Sequence, residues 1–202
     1  MSAAGTLESA DSGFTLTELL VSMLLFAIVG ALVTTASITG LQRQTQIGNR
    51  DDAIAAIRTA LERIDRDIRS AAPLLSASPT QLILNEVEPT LTRVMTYSVS
   101  GNELTVDQTT TFSDGDARTA SHKVLLDNLV GTDVTPVFSF TSTTGYTPSS
   151  GSGVDATTCA MTGGAIDIGC VGTITVRLST LPAHLAAPIS LSDNGIDLRN
   201  AL

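Results

Sequence analysis

Gly13-Phe14-Thr15-Leu16-Thr17-Glu18-Leu19-Leu20-Val21 opens a long apolar run, and its reading decides how the rest of this 202-residue chain is understood. Residues 19–41 contain no Asp, Glu, Lys or Arg. A helix of about 20 apolar residues crosses a hydrocarbon core of about 30 Å, so residues 14–41 are expected to form a single membrane span. Ser22, Thr34, Thr35, Ser37 and Thr39 dilute the run. A helix satisfies such hydroxyls on its own carbonyls. One carboxylate, Glu18, stands near the start of the span. An ionisable group is costly there, which makes Glu18 the first candidate functional residue.

A cleaved secretory signal peptide is the competing reading. It calls for a basic start, a shorter apolar stretch and a small-residue cleavage site. Residues 1–13 hold no Lys or Arg and carry Glu8 and Asp11. Thr34-Thr35-Ala36 would serve as a late cleavage site, but it accounts for neither the Gly13-Phe14 junction nor Glu18.

A Gly directly before Phe14, a Glu as the fifth residue counted from Phe14, and an unbroken apolar helix after them form a pattern. It resembles the processing site of type IV prepilins and type II secretion pseudopilins. The resemblance implies a leader over residues 1–13, cleavage by prepilin peptidase between Gly13 and Phe14, and N-methylation of the new α-amine of Phe14. It also implies that Glu18 is an assembly contact, pairing with the amine of a neighbouring subunit as helices bundle into a filament core. A buried pair of that kind specifies geometry more reliably than it adds stability. The leader departs from the family pattern in one respect. Basic residues normally precede the Gly and hold that end in the cytoplasm, whereas the first basic residue here is Arg43.

The helical pattern continues over residues 42–72. Ile54, Ile57, Leu61, Ile64 and Ile68 recur at alternating spacings of three and four, one apolar stripe of an amphipathic helix. Arg58, Glu62, Arg63, Asp65, Arg66, Asp67 and Arg69 cover the other faces, with Glu62 to Arg66 and Asp65 to Arg69 as favourable i,i+4 pairs. Pro73 ends the helix by pushing Ala72 out of the α region.

Residues 73–202 read as a β-rich head. Strands are expected over 81–87, 93–100, 103–111 and 172–180, the last a central antiparallel strand, with a final edge strand in 189–202. Gly101-Asn102 and Ser113-Asp114-Gly115-Asp116 read as turns. Residues 141–153, rich in Ser, Thr and Gly, read as an exposed loop. The fold class is therefore α+β: a pilin-like lollipop whose long N-terminal helix packs on an antiparallel sheet. Arg66-Asp67-Ile68-Arg69-Ser70-Ala71 is similar to the helix end of PilW-like minor pilins and J-type minor pseudopilins. So are Lys123-Val124-Leu125-Leu126-Asp127-Asn128-Leu129-Val130 followed by Phe138-Ser139-Phe140, and Leu198-Arg199-Asn200.

Cys159 and Cys170 are the only cysteines. They flank a Gly-rich stretch expected outside the cytoplasm, where a disulfide is the natural reading and two free thiols the alternative. So short a loop is local, and its loss is expected to loosen the loop more than the β core. His122 and His184 stand alone without zinc-ligand spacing. Asp114-Gly115-Asp116 supplies too few donors for calcium. No nucleophile elbow, phosphate loop or HExxH is present, so neither a cofactor nor an enzymatic activity is expected. A formal net charge of −9 with no Trp argues against nucleic acid as a direct partner.

The resemblance implies a structural subunit: a minor pilin or pseudopilin that helps initiate or cap a type IV pilus or type II secretion pseudopilus. Its implied partners are prepilin peptidase, other subunits through the N-terminal helix, and the inner-membrane assembly platform. The implied location is the cytoplasmic membrane, single-pass with the head outside, and then the filament. A major pilin, or a membrane-anchored extracellular adhesin, are the alternatives.

Overall fold

The computed structural model describes residues 15–71, 73–115, 117–131, 135–148, 153–162, 164–183 and 185–198. One helix, α1 (Leu16–Ser70), is followed by eight strands: β1 (Leu74–Ser78), β2 (Gln81–Val87), β3 (Leu91–Ser100), β4 (Glu103–Phe112), β5 (Ala117–Leu126), β6 (Phe138–Ser142), β7 (Val171–Thr180) and β8 (Ile189–Asp197). The chain forms two compact units, Met1–Thr45 and Gln46–Leu202.

In the first unit the described residues are the N-terminal part of α1. Apolar side chains project on every side of it and none is buried. Leu19, Val29, Leu32 and Phe26 are all more than half exposed, Phe26 by 82%. A helix that is apolar all round is built for a non-aqueous surrounding. This one is long and apolar enough to cross a membrane. Its hydroxyls turn inward: Ser22 donates to the Glu18 carbonyl, Thr34 to Gly30, Thr35 to Ala31, Ser37 to Val33 and Thr39 to Thr35, at 2.7–2.9 Å. The self-satisfaction expected from the sequence is realised at all five.

In the second unit the rest of α1 packs on two antiparallel meanders. One sheet has five strands in the order β1-β2-β3-β4-β5, the other three in the order β6-β7-β8. The helix presents Ile57, Ala60, Leu61, Ile64 and Ile68 to the core. Ile54, at the end of the expected stripe, is half-buried. Across from them lie Leu82, Leu84, Met95, Tyr97, Leu104 and Val106 of the larger sheet, and Phe138, Ile174, Val176, Leu178 and Ile196 of the smaller, all in one continuous apolar core. Strand alternation supplies this directly: in β7, Ile174, Val176 and Leu178 point in while Thr175 and Arg177 point out.

Polar contacts set the register of helix on sheet. The Tyr97 hydroxyl, on a fully buried ring, donates to the Asp67 carboxylate. Arg63 approaches the same carboxylate at 3.7 Å. Asp65 and Arg69 pair at 2.8 Å, as expected. The expected Glu62–Arg66 pair is not formed among the described residues. Both side chains lie on the exposed face, where water screens the attraction and side-chain entropy opposes it.

The expected strands 81–87, 93–100, 103–111 and 172–180 all form, and 172–180 is the central strand of its sheet. Two features differ from the sequence reading. The β rich head divides into two sheets. A short first strand, β1, pairs back on β2 through Pro79-Thr80, with Ser78 capping the turn by accepting from the Gln81 amide at 2.9 Å. The chain also changes sheets: β5 ends at Leu126, Asn128 takes a left-handed conformation (φ 54°), and Leu129 then bridges to Thr180 at the end of β7. That bridge carries the chain from the larger sheet to the smaller.

Of the expected exposed loop over 141–153, the described residues 143–148 and 153 lie outside any strand and none is buried, while 149–152 lie outside the described residues. Thr141 and Ser142 belong to β6, and Thr143 donates its amide to the Cys170 carbonyl. Cys159 and Cys170 are joined, with Cα atoms 5.5 Å apart. Both are fully buried within the main core, so the bridge is an internal tie to the base of β7 and not a peripheral clip. Inside the loop the Asp155 carboxylate accepts the amides of Thr157 and Thr158 at 2.7 and 2.8 Å. Donation from Thr158 first, then Thr157, holds its carboxyl below the ordinary carboxylate value. The Tyr146 hydroxyl donates to Asp167 at 2.6 Å, and this bond, ahead of burial, pushes the phenol up. Gly172 is required where the loop meets β7: a Cβ there would lie 2.6 Å from the Thr143 Cα.

Substitutions at Tyr97 and Cys170, together with peptide mapping, check this account. Tyr97→Phe removes a hydrogen bond to a charged acceptor and is expected to cost about 1.5–3 kcal/mol of stability in thermal unfolding. Burial, then the bond to Asp67, raises the Tyr97 phenol well above its ordinary 10.0. The native state therefore keeps the proton while the unfolded chain loses it. This contribution is complete below pH 10 and is lost as pH rises beyond it; wild type should lose stability above pH 10 more steeply than Tyr97→Phe. Cys170→Ser is expected to cost about 2–3 kcal/mol from loop closure alone. Because the sulfurs are in the core, hydrogen exchange should rise in β7 as well as in the loop. Peptide mapping without reductant should recover one linked pair, and free alkylation of both thiols in exported protein would contradict it.

Candidate functional site: the start of the long helix

Thr15 is the first described residue and the N-cap of α1. The Glu18 amide reaches both the Thr15 carbonyl, at 3.0 Å, and its Oγ1, at 3.4 Å, and the Leu19 amide bonds the same carbonyl at 3.2 Å. Thr-x-x-Glu is the sequence form of a capping box, with the acidic residue at the third helical position. Thr15 was not among the residues singled out from the sequence, although this spacing is a signal that could have found it. Its hydroxyl also lies 3.2 Å from that of Thr17.

Glu18 consequently sits in the first turn of α1. The unpaired amides of that turn create a positive end that favours a carboxylate. Among the described residues its carboxylate has no side-chain partner, and its neighbours Leu16, Leu19, Leu20 and Val21 are apolar and more than half exposed. In water such a group is ordinary. In lipid it would cost several kcal/mol unless a positive group met it or it took up a proton. The site is therefore one fixed carboxylate, on a capped helix end, in an apolar surface. Gly13 and Phe14, the other residues of the expected processing site, lie outside the described residues.

The remaining sequence candidates are not gathered here. His122 faces Asp107 directly across β4 and β5, at 2.6 Å, with both side chains largely exposed. His184 and Asp116 lie outside the described residues. Among those described, no three His, Cys, Asp or Glu side chains converge as a metal site.

The family described as the prokaryotic N-terminal methylation motif matches residues 9–34. That segment contains Gly13, Phe14, the Thr15 cap, Glu18 and most of the apolar run. No curated protein and no solved structure matches the chain.

Proposed function

We propose that this chain, whose N-terminal methylation motif supports the type IV pilin and pseudopilin superfamily, is a structural subunit of a type IV pilus or type II secretion pseudopilus. The observation that carries the reading is Glu18: a lone carboxylate on the capped first turn of a helix that is apolar on all sides and long enough to span a membrane. Such a helix is suited first to lipid and then to a bundle of like helices. In both settings the carboxylate needs a cation.

In this reading prepilin peptidase removes residues 1–13, Phe14 gains a methylated α-amine, and that amine on one subunit meets Glu18 on the next. Before assembly the chain is a single-pass protein of the cytoplasmic membrane with residues 73–202 outside. The inner-membrane assembly platform is its partner at the moment of extraction. The Cys159–Cys170 bond supports an oxidising compartment for the head. The finer reading is a minor subunit that initiates or caps the filament, similar to PilW-like minor pilins and J-type pseudopilins. It rests on the sequences at the helix end and around residues 123–140. The chain acts as a building block and not as an enzyme.

Mass spectrometry of the mature protein should find an N-terminus at a methylated Phe14; an intact Met1, or a start at Ser37, in assembled material would refute the processing step. Glu18→Ala should still insert and be cleaved, since it removes a charge from the span and leaves the Gly13-Phe14 junction intact. It should fail to enter filaments efficiently, because removing one partner of a buried pair costs about 3–5 kcal/mol. Comparison of membrane and sheared-filament fractions reads this out. Entry equal to wild type would remove Glu18 from assembly and favour a membrane-anchored adhesin.

A further inference from the structure

The outer face of the β6-β7-β8 sheet carries a groove of about 360 Å³ that the assembly reading does not use. Arg177 and Thr175 point outward from β7, with Ser139 of β6 beside Thr175 and Ser192 of β8 opposite Arg177. Asn194, Pro136 and Thr135 complete the lining, with the Thr135 hydroxyl donating to the Gly131 carbonyl at 3.0 Å. None of Arg177, Thr175, Ser139, Ser192 or Asn194 spends its side chain on a hydrogen bond or ion pair among the described residues. The sheet is also reshaped at this spot. Between the pairs Ile174↔Ile196 and Val176↔Asp193, Thr175 faces two residues, Asn194 and Gly195, and Gly195 has φ +82°. Such a bulge bends the strand and re-aims its side chains, a device found next to binding sites.

The chemistry of this lining is specific. A guanidinium offers a planar fork that matches a carboxylate in two parallel hydrogen bonds. Hydroxyls and a carboxamide both donate and accept, as a polyhydroxylated ligand requires. A lone carboxylate would occupy a small part of the groove, whose volume falls in the range of small-molecule sites, about 300–1,000 Å³. In a chain of net charge −9, an unpaired arginine among five neutral polar side chains is a local exception in sign. We propose that this groove binds a carboxylated sugar unit, with Arg177 on the carboxylate and Ser139, Thr175, Ser192 and Asn194 on the ring hydroxyls.

The test uses the full chain in a detergent without a sugar headgroup, titrated calorimetrically with trigalacturonate, with neutral galactotriose and with acetate. Trigalacturonate is expected to bind at least about tenfold more tightly than either control, and more weakly as salt rises. Arg177→Gln should lower that affinity by about tenfold or more with an unchanged melting temperature, since the side chain has no partner to lose. Arg177→Lys, which keeps the charge and loses the fork, should fall between. The proposal is overturned if galactotriose binds as well as trigalacturonate, if acetate binds as tightly, if Arg177→Gln has no effect, or if trigalacturonate gives no saturable binding at millimolar concentration.

Discussion

The second unit depends on the burial of one helical stripe. Ile57, Ile64 and Ile68 are fully excluded from solvent against the inner faces of both sheets, each worth about 1.5–3 kcal/mol relative to exposure. A meander with one apolar face has no stable existence until a second layer covers it. Here a single helix is that layer for eight strands. The stripe alone leaves rotation and sliding cheap. The Tyr97 hydroxyl on Asp67, with Arg63 behind it, adds a directional constraint that apolar contacts lack. A buried phenol without an acceptor would be costly, so the helix settles where Asp67 meets it.

The same helix follows the opposite logic in the first unit. There the apolar side chains have no protein to bury against, and the polar ones are silenced by the backbone. Five hydroxyls bond carbonyls one turn back, and among the described residues 15–41 this leaves Glu18 as the ionisable group whose requirements the helix does not meet by itself. Thr15 sets the start of the helix, and with it the depth and direction from which that carboxylate is offered. That unmet electrostatic requirement, at a defined position, is the physical basis of the proposed assembly role.

The head shows how a small β unit with few aromatics holds a long excursion between strands. The described residues between 143 and 170 contain little regular structure, yet they are fastened by the Cys159–Cys170 bond in the core, by Tyr146 on Asp167, and by the turn around Asp155. Gly172 lets this segment approach β7 more closely than any side chain would allow. Inward positions of β7 serve the core. Outward ones, Thr175 and Arg177 among them, face away from it, and the bulge at Asn194-Gly195 shapes that face while Ile174 and Ile196 stay paired beneath it.

The sequence by itself determined whatever depends on period and local chemistry. The apolar run and its self-satisfied hydroxyls, the stripe from Ile57 to Ile68, the 81–87, 93–100 and 103–111 meander and the inward alternation of β7 all follow from spacings of one turn or one pleat. Glu18 was conspicuous because a charge breaks an apolar run, and the Thr15 cap was written in the Thr-x-x-Glu spacing. Only the tertiary structure decided the rest. Which hydroxyl would meet Asp67 depends on two elements thirty residues apart. The division into two sheets depends on a left-handed turn at Asn128 and a bridge from Leu129 to Thr180. Cys159 and Cys170 were recognisable as a pair, but their burial follows from where β7 enters the core. Arg177 gave no signal at all, because an exposed arginine in a strand is unremarkable until its neighbours from two other strands, brought together by pairing, are seen to leave it unanswered.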